Sequence, residues 1–352
     1  MQSGESTDRS LAGLWAKKYV RSLAGNKKTA STEAPPGSDR AQTAIKLVST
    51  LRFCSSRAWA KTEELLFKNL QKHRINASLI DPWKIAEDSR SLFERAVESY
   101  QENITPERFS VSISKQCGRV RQAHTAVDPR VLGFLSMQFH YTGQFLLEEL
   151  DESERAGIAD YFKVMDDHLY MPLQRSYEAA AQQDFRAPVL IAVQQLLPIS
   201  TTIAESIATD VAKRNAQHLC YTGPLHHPLV RVSTIRDIEM FQIYLCLCVL
   251  EGSIASVQQE LFPLCVMLYP PLNVDWSLVR QLVQGLSQEI QTRLLPESFL
   301  IFAPYLKAFQ DMFSEVVFPE NDPIWGQHPD AVRFMDMARN ILQEALAQPK
   351  SV

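Results

Sequence analysis

The stretch VLGFLSMQFHYTGQFLLEELDESERAGIADYFKVMDDHLYMPLQRSYEAA, residues 131–180, decides the fold class. Apolar side chains recur at helical spacing on both sides of DESE, and Asp151 with Glu154 forms a capping-box pattern between them. Asp128-Pro129 supplies the start of the first run: an acceptor side chain followed by Pro at the first helical position. The pattern predicts one helix to about Leu150 and a longer one to about Gln183. Two helices joined this tightly form a helical hairpin.

The same punctuation extends outward in both directions. Asp81-Pro82 and Thr105-Pro106 open helices upstream, the first carrying Trp83, Ile85, Leu92, Phe93, Val97 and Tyr100. The helical body begins near Ala41. Downstream, Pro188, Pro198, Gly223-Pro224, His227-Pro228, Pro270-Pro271 and Pro296 separate helical patterns over 199–219, 236–251, 253–268, 275–294, 297–317 and 329–348. Residues 229–235 read either as a short strand or as the first turns of a helix. Only 12 of 352 residues are Gly, which suits helices better than a fold built on tight turns. The expectation is an all-α protein, an irregular bundle or array of about a dozen helices. Residues 1–40 form a disordered N-terminal extension, and residues 41–185 and 186–352 are two helical domains or one continuous unit.

Hydrophobic residues make up 45% and charged residues 22%, an ordinary globular composition. The six Cys lack paired spacing and mostly sit in apolar runs, as reduced thiols of a cytoplasmic protein do. No apolar leader opens the chain, and the run Ile243–Leu250 falls short of the ~20 residues a membrane span needs. The net charge of −4 is unevenly placed: residues 1–130 carry +8 and residues 131–352 carry −12. Such polarity suits an anionic partner, head-to-tail association, or attraction between the two parts of one fold.

Common catalytic signatures are missing. None of the eight His follows a Glu by three positions, and neither His-Glu-x-x-His nor zinc-finger spacing occurs. No Gly-rich phosphate loop and no GxSxG elbow is present. These absences favour a protein without cofactor or metal, and a binding role over catalysis.

Three constellations remain. His140, Gln144 and Glu148 share one helical face, and Asp167 and His168 stud the next helix. If the two helices pack antiparallel, these residues line a ligand pocket, or else a hydrogen-bonded seam that fixes helix register. Arg108, Lys115 and Arg119 recur at i, i+7 and i+11, with Arg121 beside them. That stripe suits an acidic protein surface or nucleic-acid phosphates, or pairs internally with the acidic 148–167 region. An acidic chain without a nucleic-acid module argues against nucleic acid, and Ser110–Ser114 also alternates like a strand. Finally, Leu11, Leu14, Trp15, Tyr19 and Leu23 form the apolar face of a short segment ahead of the Gly-, Pro- and Ser-rich stretch 25–40. This segment docks on a protein partner or a membrane surface, or packs as an extra helix on the body. Together these features predict a non-enzymatic adaptor, scaffold or regulatory protein. The alternatives are a small-ligand sensor or enzyme with a pocket between the two central helices, and nucleic-acid binding through residues 106–126.

Overall fold

Each helix start read from an X-Pro pair opens a helix. A computed structural model describes Leu11, Leu14, Trp15 and residues 40–318. Helix α1 spans Arg40–Lys72, and α2 spans Pro82–Gln101. The Asp81 carboxylate accepts the backbone N–H groups of Trp83 and Lys84 at 3.0 and 3.2 Å, satisfying two donors of the first turn of α2. Thr105 is extended ahead of α3 (Pro106–Thr125) but makes no side-chain cap, so Pro106 sets that start. Asp128 caps a 3₁₀ turn, Pro129–Val131, that leads into α4 (Leu132–Glu148). The capping box forms as expected at α5 (Glu152–Tyr170). Glu154 N–H donates to Asp151 at 2.9 Å, and Asp151 N–H donates to Glu154 at 3.1 Å.

Three local expectations change. The helix expected to run to Gln183 stops at Tyr170, and α6 (Leu173–Ala181) resumes after Pro172. Proline disfavours α geometry in the residue before it, and Met171 is extended at φ −100°, ψ 147°. Residues 229–235 are helical, part of α9 (Pro228–Glu251), and Ser110–Ser114 lies inside α3. Strand among the described residues is limited to a hairpin pairing Leu219–Cys220 with Gly223–Pro224.

Helix α1 lies along α4 and α2, and α5 packs on α2, α3 and α4. The second half adds α7 (Pro188–Leu196), α8 (Ser200–Arg214), α10 (Phe262–Leu268), α11 (Trp276–Arg293) and α12 (Pro296–Met312). Helix α9 is its axis, contacting α6, α7, α8 and α12. Every residue of α9 from Ile238 to Leu250 is buried, the pattern of a helix enclosed on all sides. One apolar cluster runs from Leu11 to Phe318, so the core continues across residue 185. Residues Pro188–Arg214 are long and apolar enough to cross a membrane. Here a 3₁₀ turn at Leu197–Ile199 divides them, and Leu190, Val193, Leu196, Ile203 and Ile207 sit in the shared core.

The uneven charge is partly neutralised internally. Lys46 meets Glu154 at 3.1 Å, Arg57 meets Glu148 at 3.9 Å, and Arg121 meets Glu260 at 3.0 Å. Three residues of the docking face expected in the N-terminal segment pack on this chain. Leu11 and Trp15 are helical and buried in the common core, Trp15 to 1% exposure, and Leu14 packs against it. Tyr19, Leu23 and the helix expected over 329–348 lie outside the described residues.

Candidate ligand site

Two interruptions of helical geometry border a cavity. The first is the break at Met171-Pro172 between α5 and α6. The second is a π turn at Val257–Leu261, immediately before α10. Pro263 has no N–H to offer the Gln259 carbonyl four residues back, and the Phe262 N–H reaches Val257 instead. Such single π turns occur often at functional sites. Between these interruptions and the last turns of α3 lies a cavity of about 520 Å³. That volume is within the range of small-molecule pockets.

Arg121 of α3 forms part of the wall. Its guanidinium donates to the carbonyls of Leu169 and Tyr170 at 2.8 and 2.9 Å. It also donates to the Tyr244 hydroxyl at 2.7 Å and to Glu260 at 3.0 Å. The buried arginine thus caps the broken end of α5 and ties it to the π turn. Arg175 of α6 completes the brace, bonding Glu260 at 2.6 Å and Glu251 at 2.6 and 2.8 Å. These four charges compensate one another.

Lys115 and Arg119 line the same cavity one helical turn apart. Both are exposed, and among the described residues neither has an ion-pair partner. Glu178 lines the opposite side, accepting from Gln174 at 2.8 Å. Three of the four residues of the basic stripe therefore reach this cavity, in two different roles. Arg108 lies apart from it, exposed at the start of α3.

His168, on the last turn of α5, also lines the cavity and is 2% exposed. Its Nδ1 lies 2.8 Å from the Val164 carbonyl, which can only accept, so Nδ1 carries the proton. Burial holds its pKa down to about 4, leaving the ring neutral and Nε2 an acceptor. Nε2 has no hydrogen-bond partner among the described residues. The ring meets Tyr177 edge-on at 6.4 Å, and the buried Tyr177 hydroxyl likewise lacks a partner among them.

The pocket expected between α4 and α5 does not gather its five residues. His140 Nδ1 faces Asp166 at 3.3 Å, and Asp166 also receives Arg236 of α9. Asp166 and His168 are two residues apart, hence about 200° around α5, so the two histidines serve opposite faces. Gln144 is half-buried, and Glu148 is exposed beside Arg57. Asp167 is buried and accepts from Lys163 at 2.6 Å. Burial alone would raise the Asp166 pKa, but Arg236 and then His140 bring it down to about 2. Tyr170 donates to Asp237 at 3.1 Å, and Thr201 donates to Glu239 at 2.6 Å. On this side of α5, Asp166–Arg236 and Tyr170–Asp237 form a polar seam that joins α5 to α9.

A second groove, about 420 Å³ between α8 and α11, has its charges internally matched. Asp210 pairs with Arg214, and Glu289 accepts from Arg293 and Ser206. The fold is all-α, and among the described residues the cavity is lined by two exposed cations, Lys115 and Arg119, that have no ion-pair partner. The chain matches no family model, and neither a curated protein nor a solved structure matches it.

Proposed function

We propose that this protein is a small-ligand-binding regulatory protein whose ligand occupies the cavity between α3, α6 and the π turn. The observation that carries the reading is a ligand-sized cavity whose lining includes Lys115 and Arg119, exposed cations without an ion-pair partner among the described residues. The reading takes up the expected alternative of a small-ligand sensor and moves its site from the α4–α5 seam to the other face of α5. The braced arginines tie the cavity to both halves, because Arg121 and Arg175 link α3, α5 and α6 to α9 and the π turn. Occupancy is thereby coupled to the packing of the halves.

The test is native mass spectrometry and thermal unfolding of the full chain incubated with a fractionated metabolite extract. Gln122 lines the mouth and is exposed, so Gln122→Trp can block the cavity from a position that leaves the core untouched. A bound compound that raises Tm in wild type and not in Gln122→Trp supports the reading. Binding indifferent to Gln122→Trp, or no binding from any fraction, refutes it.

A further inference from the structure

We infer that the solvent face of α1 is the contact surface of a homodimer, in which two copies of this helix pack antiparallel about a two-fold axis beside Ser56. The inference is independent of the ligand-site reading, because none of the described residues of α1 lines the cavity.

Helix α1 covers only one of its faces. Leu47, Leu51, Ala58 and Leu66 enter the core, while Ile45, Phe53 and Phe67 are exposed on the outer face at 70%, 61% and 51%. Exposed apolar side chains scattered singly are ordinary. Here they belong to an ordered stripe. Ahead of Ser56, Arg52, Ser49 and Ile45 stand at −4, −7 and −11; after it, Ala60, Glu63 and Phe67 stand at +4, +7 and +11. At 100° per residue all seven fall within an arc of about 80°, along about 33 Å of helix. The spacing reads the same in both directions from Ser56, so a two-fold axis there lays the stripe on its own reverse. That is the condition for an isologous contact.

The chemistry of the stripe matches itself in that register. Ile45 of one copy meets Phe67 of the other, so the two exposed apolar ends cover each other. Arg52 faces Ala60 of the second copy and lies within one turn of its Glu63, a pair formed twice by symmetry. Arg52 and Glu63 are both exposed, and among the described residues neither has an ion-pair partner. The flanking cations are engaged within the chain: Arg57 lies 4.1 Å over Phe145, and Lys61 lies 4.2 Å over Tyr141. One cation and one anion leave the stripe neutral, which suits a second copy and not a polyanion or an anionic lipid surface.

The middle of the stripe is small and already hydrogen-bonded. Ser49 and Ser56 donate their hydroxyls back to the carbonyls of Lys46 and Arg52 at 2.8 and 3.0 Å, so covering them strands no donor. At an axis separation of about 9–10 Å, facing Cα atoms about 2.3 Å from each axis stand about 5 Å apart, within reach of a disulfide.

The test joins sedimentation equilibrium of the full chain to register-specific crosslinking. Wild type is expected to sediment as a dimer. Ser56→Cys, at an exposed position, should form a covalent dimer on oxidation with copper phenanthroline, where wild type forms none. Ser49→Cys should not crosslink to itself, because two copies of position 49 stand about 21 Å apart along the axis, yet it should crosslink when mixed with Glu63→Cys. Ser56→Arg sets like charges together at the axis and should raise the dissociation constant at least tenfold with circular dichroism unchanged. Leu300→Arg, at an exposed position of α12, should leave that constant unaltered. Arg52→Glu should weaken the dimer, and Arg52→Glu/Glu63→Arg should restore it. A wild-type chain that stays monomeric at its highest soluble concentration overturns the inference. So does a dimer that ignores Ser56→Arg, or one in which Ser49→Cys crosslinks to itself as readily as Ser56→Cys does. Monomeric protein that binds phosphatidylserine vesicles, and releases them in Phe53→Ser/Phe67→Ser, assigns the face to lipid and overturns the dimer as well.

Discussion

Acidification from pH 7 to pH 5 should cost this protein about 2 kcal/mol through each of two buried histidines, and replacing one should remove its share. His168 and His73 are both buried, and burial is the first cause that lowers each to about 4 from 6.5. The unfolded chain binds a proton at each site near pH 6.5 and the folded chain does not until about pH 4. Unfolding therefore takes up protons in that window, and stability falls as pH falls. Each histidine contributes stability that is present above 6.5 and fully lost below about 4. The whole difference is worth about 3 kcal/mol per residue at 1.36 kcal/mol per pKa unit. By pH 5 about 2 kcal/mol of each is gone, so the pair removes about 4 kcal/mol. That is a large share of the roughly 5–15 kcal/mol that holds a domain folded. Urea unfolding at pH 7, 6 and 5, followed by circular dichroism, measures the loss. His168→Phe should remove about 2 kcal/mol of the loss between pH 7 and pH 5, whatever it does to stability at pH 7. Other groups, including the upward-shifted Asp167 and Asp237, remain in both proteins and cancel in the difference. Parallel pH profiles for wild type and His168→Phe would mean that His168 is not held neutral.

Three further outcomes discriminate roles among residues that look alike in sequence. Arg121→Met removes one of the two arginine partners of Glu260 and the donor of two helix-end carbonyls and should cost about 3–5 kcal/mol in urea unfolding, whereas exposed Arg119→Gln should fall within about 0.5 kcal/mol of wild type. Trp15→Ala should cost about 3–5 kcal/mol because Trp15 is a core residue, while Trp83→Ala, at 86% exposure, should be nearly neutral by the same assay. Arg236→Met removes the main counter-charge of Asp166, so the carboxyl followed by NMR titration should climb from about 2 to the ordinary carboxylate range or above it.

Helices were legible wherever a side chain decides the backbone locally. Asp81, Asp128 and Asp151 each accept the N–H groups their positions called for. The X-Pro pairs at 81–82 and 105–106 needed no tertiary knowledge, because the proline ring constrains the backbone wherever it falls. Less legible was the destination of an amphipathic face. The spacing of Leu11, Leu14 and Trp15 is the same whether the face meets a partner or its own core, and only packing distinguishes them. Periodicity likewise grouped Arg121 with Arg119, but 200° around a helix separates a buried brace from a free surface cation. The polar residues of 131–180 pointed to a site on α5, and His168 is on it, though facing away from His140. Antiparallel packing brought α4 and α5 together, and that contact serves only one face of α5. The other face meets α3 and α6, elements whose approach no local pattern encodes.

The missed part of the site shares one physical cause. Met171-Pro172 was available as a stop signal, yet a run of helix formers on both sides made the segment read as continuous. Gln259 and Glu260 fell inside an apolar helical pattern whose π turn depends on Pro263, again a proline within a periodic run. At both places helix propensity pulls one way and a missing N–H or a ring clash pulls the other. The backbone answers by leaving carbonyls without helical partners. At the end of α5 those carbonyls, Leu169 and Tyr170, are met by Arg121, a residue 48 positions earlier in the chain. An arginine buried for that purpose needs an acid, and Glu260 on the π turn supplies it. The cavity follows from the same arrangement: a helix that stops early and one that widens leave space between them that regular helices would fill. A proline inside an otherwise helical run, with an arginine elsewhere able to reach the broken end, is thus the sequence signal for this site. It is a signal about conflict between local rules rather than agreement among them.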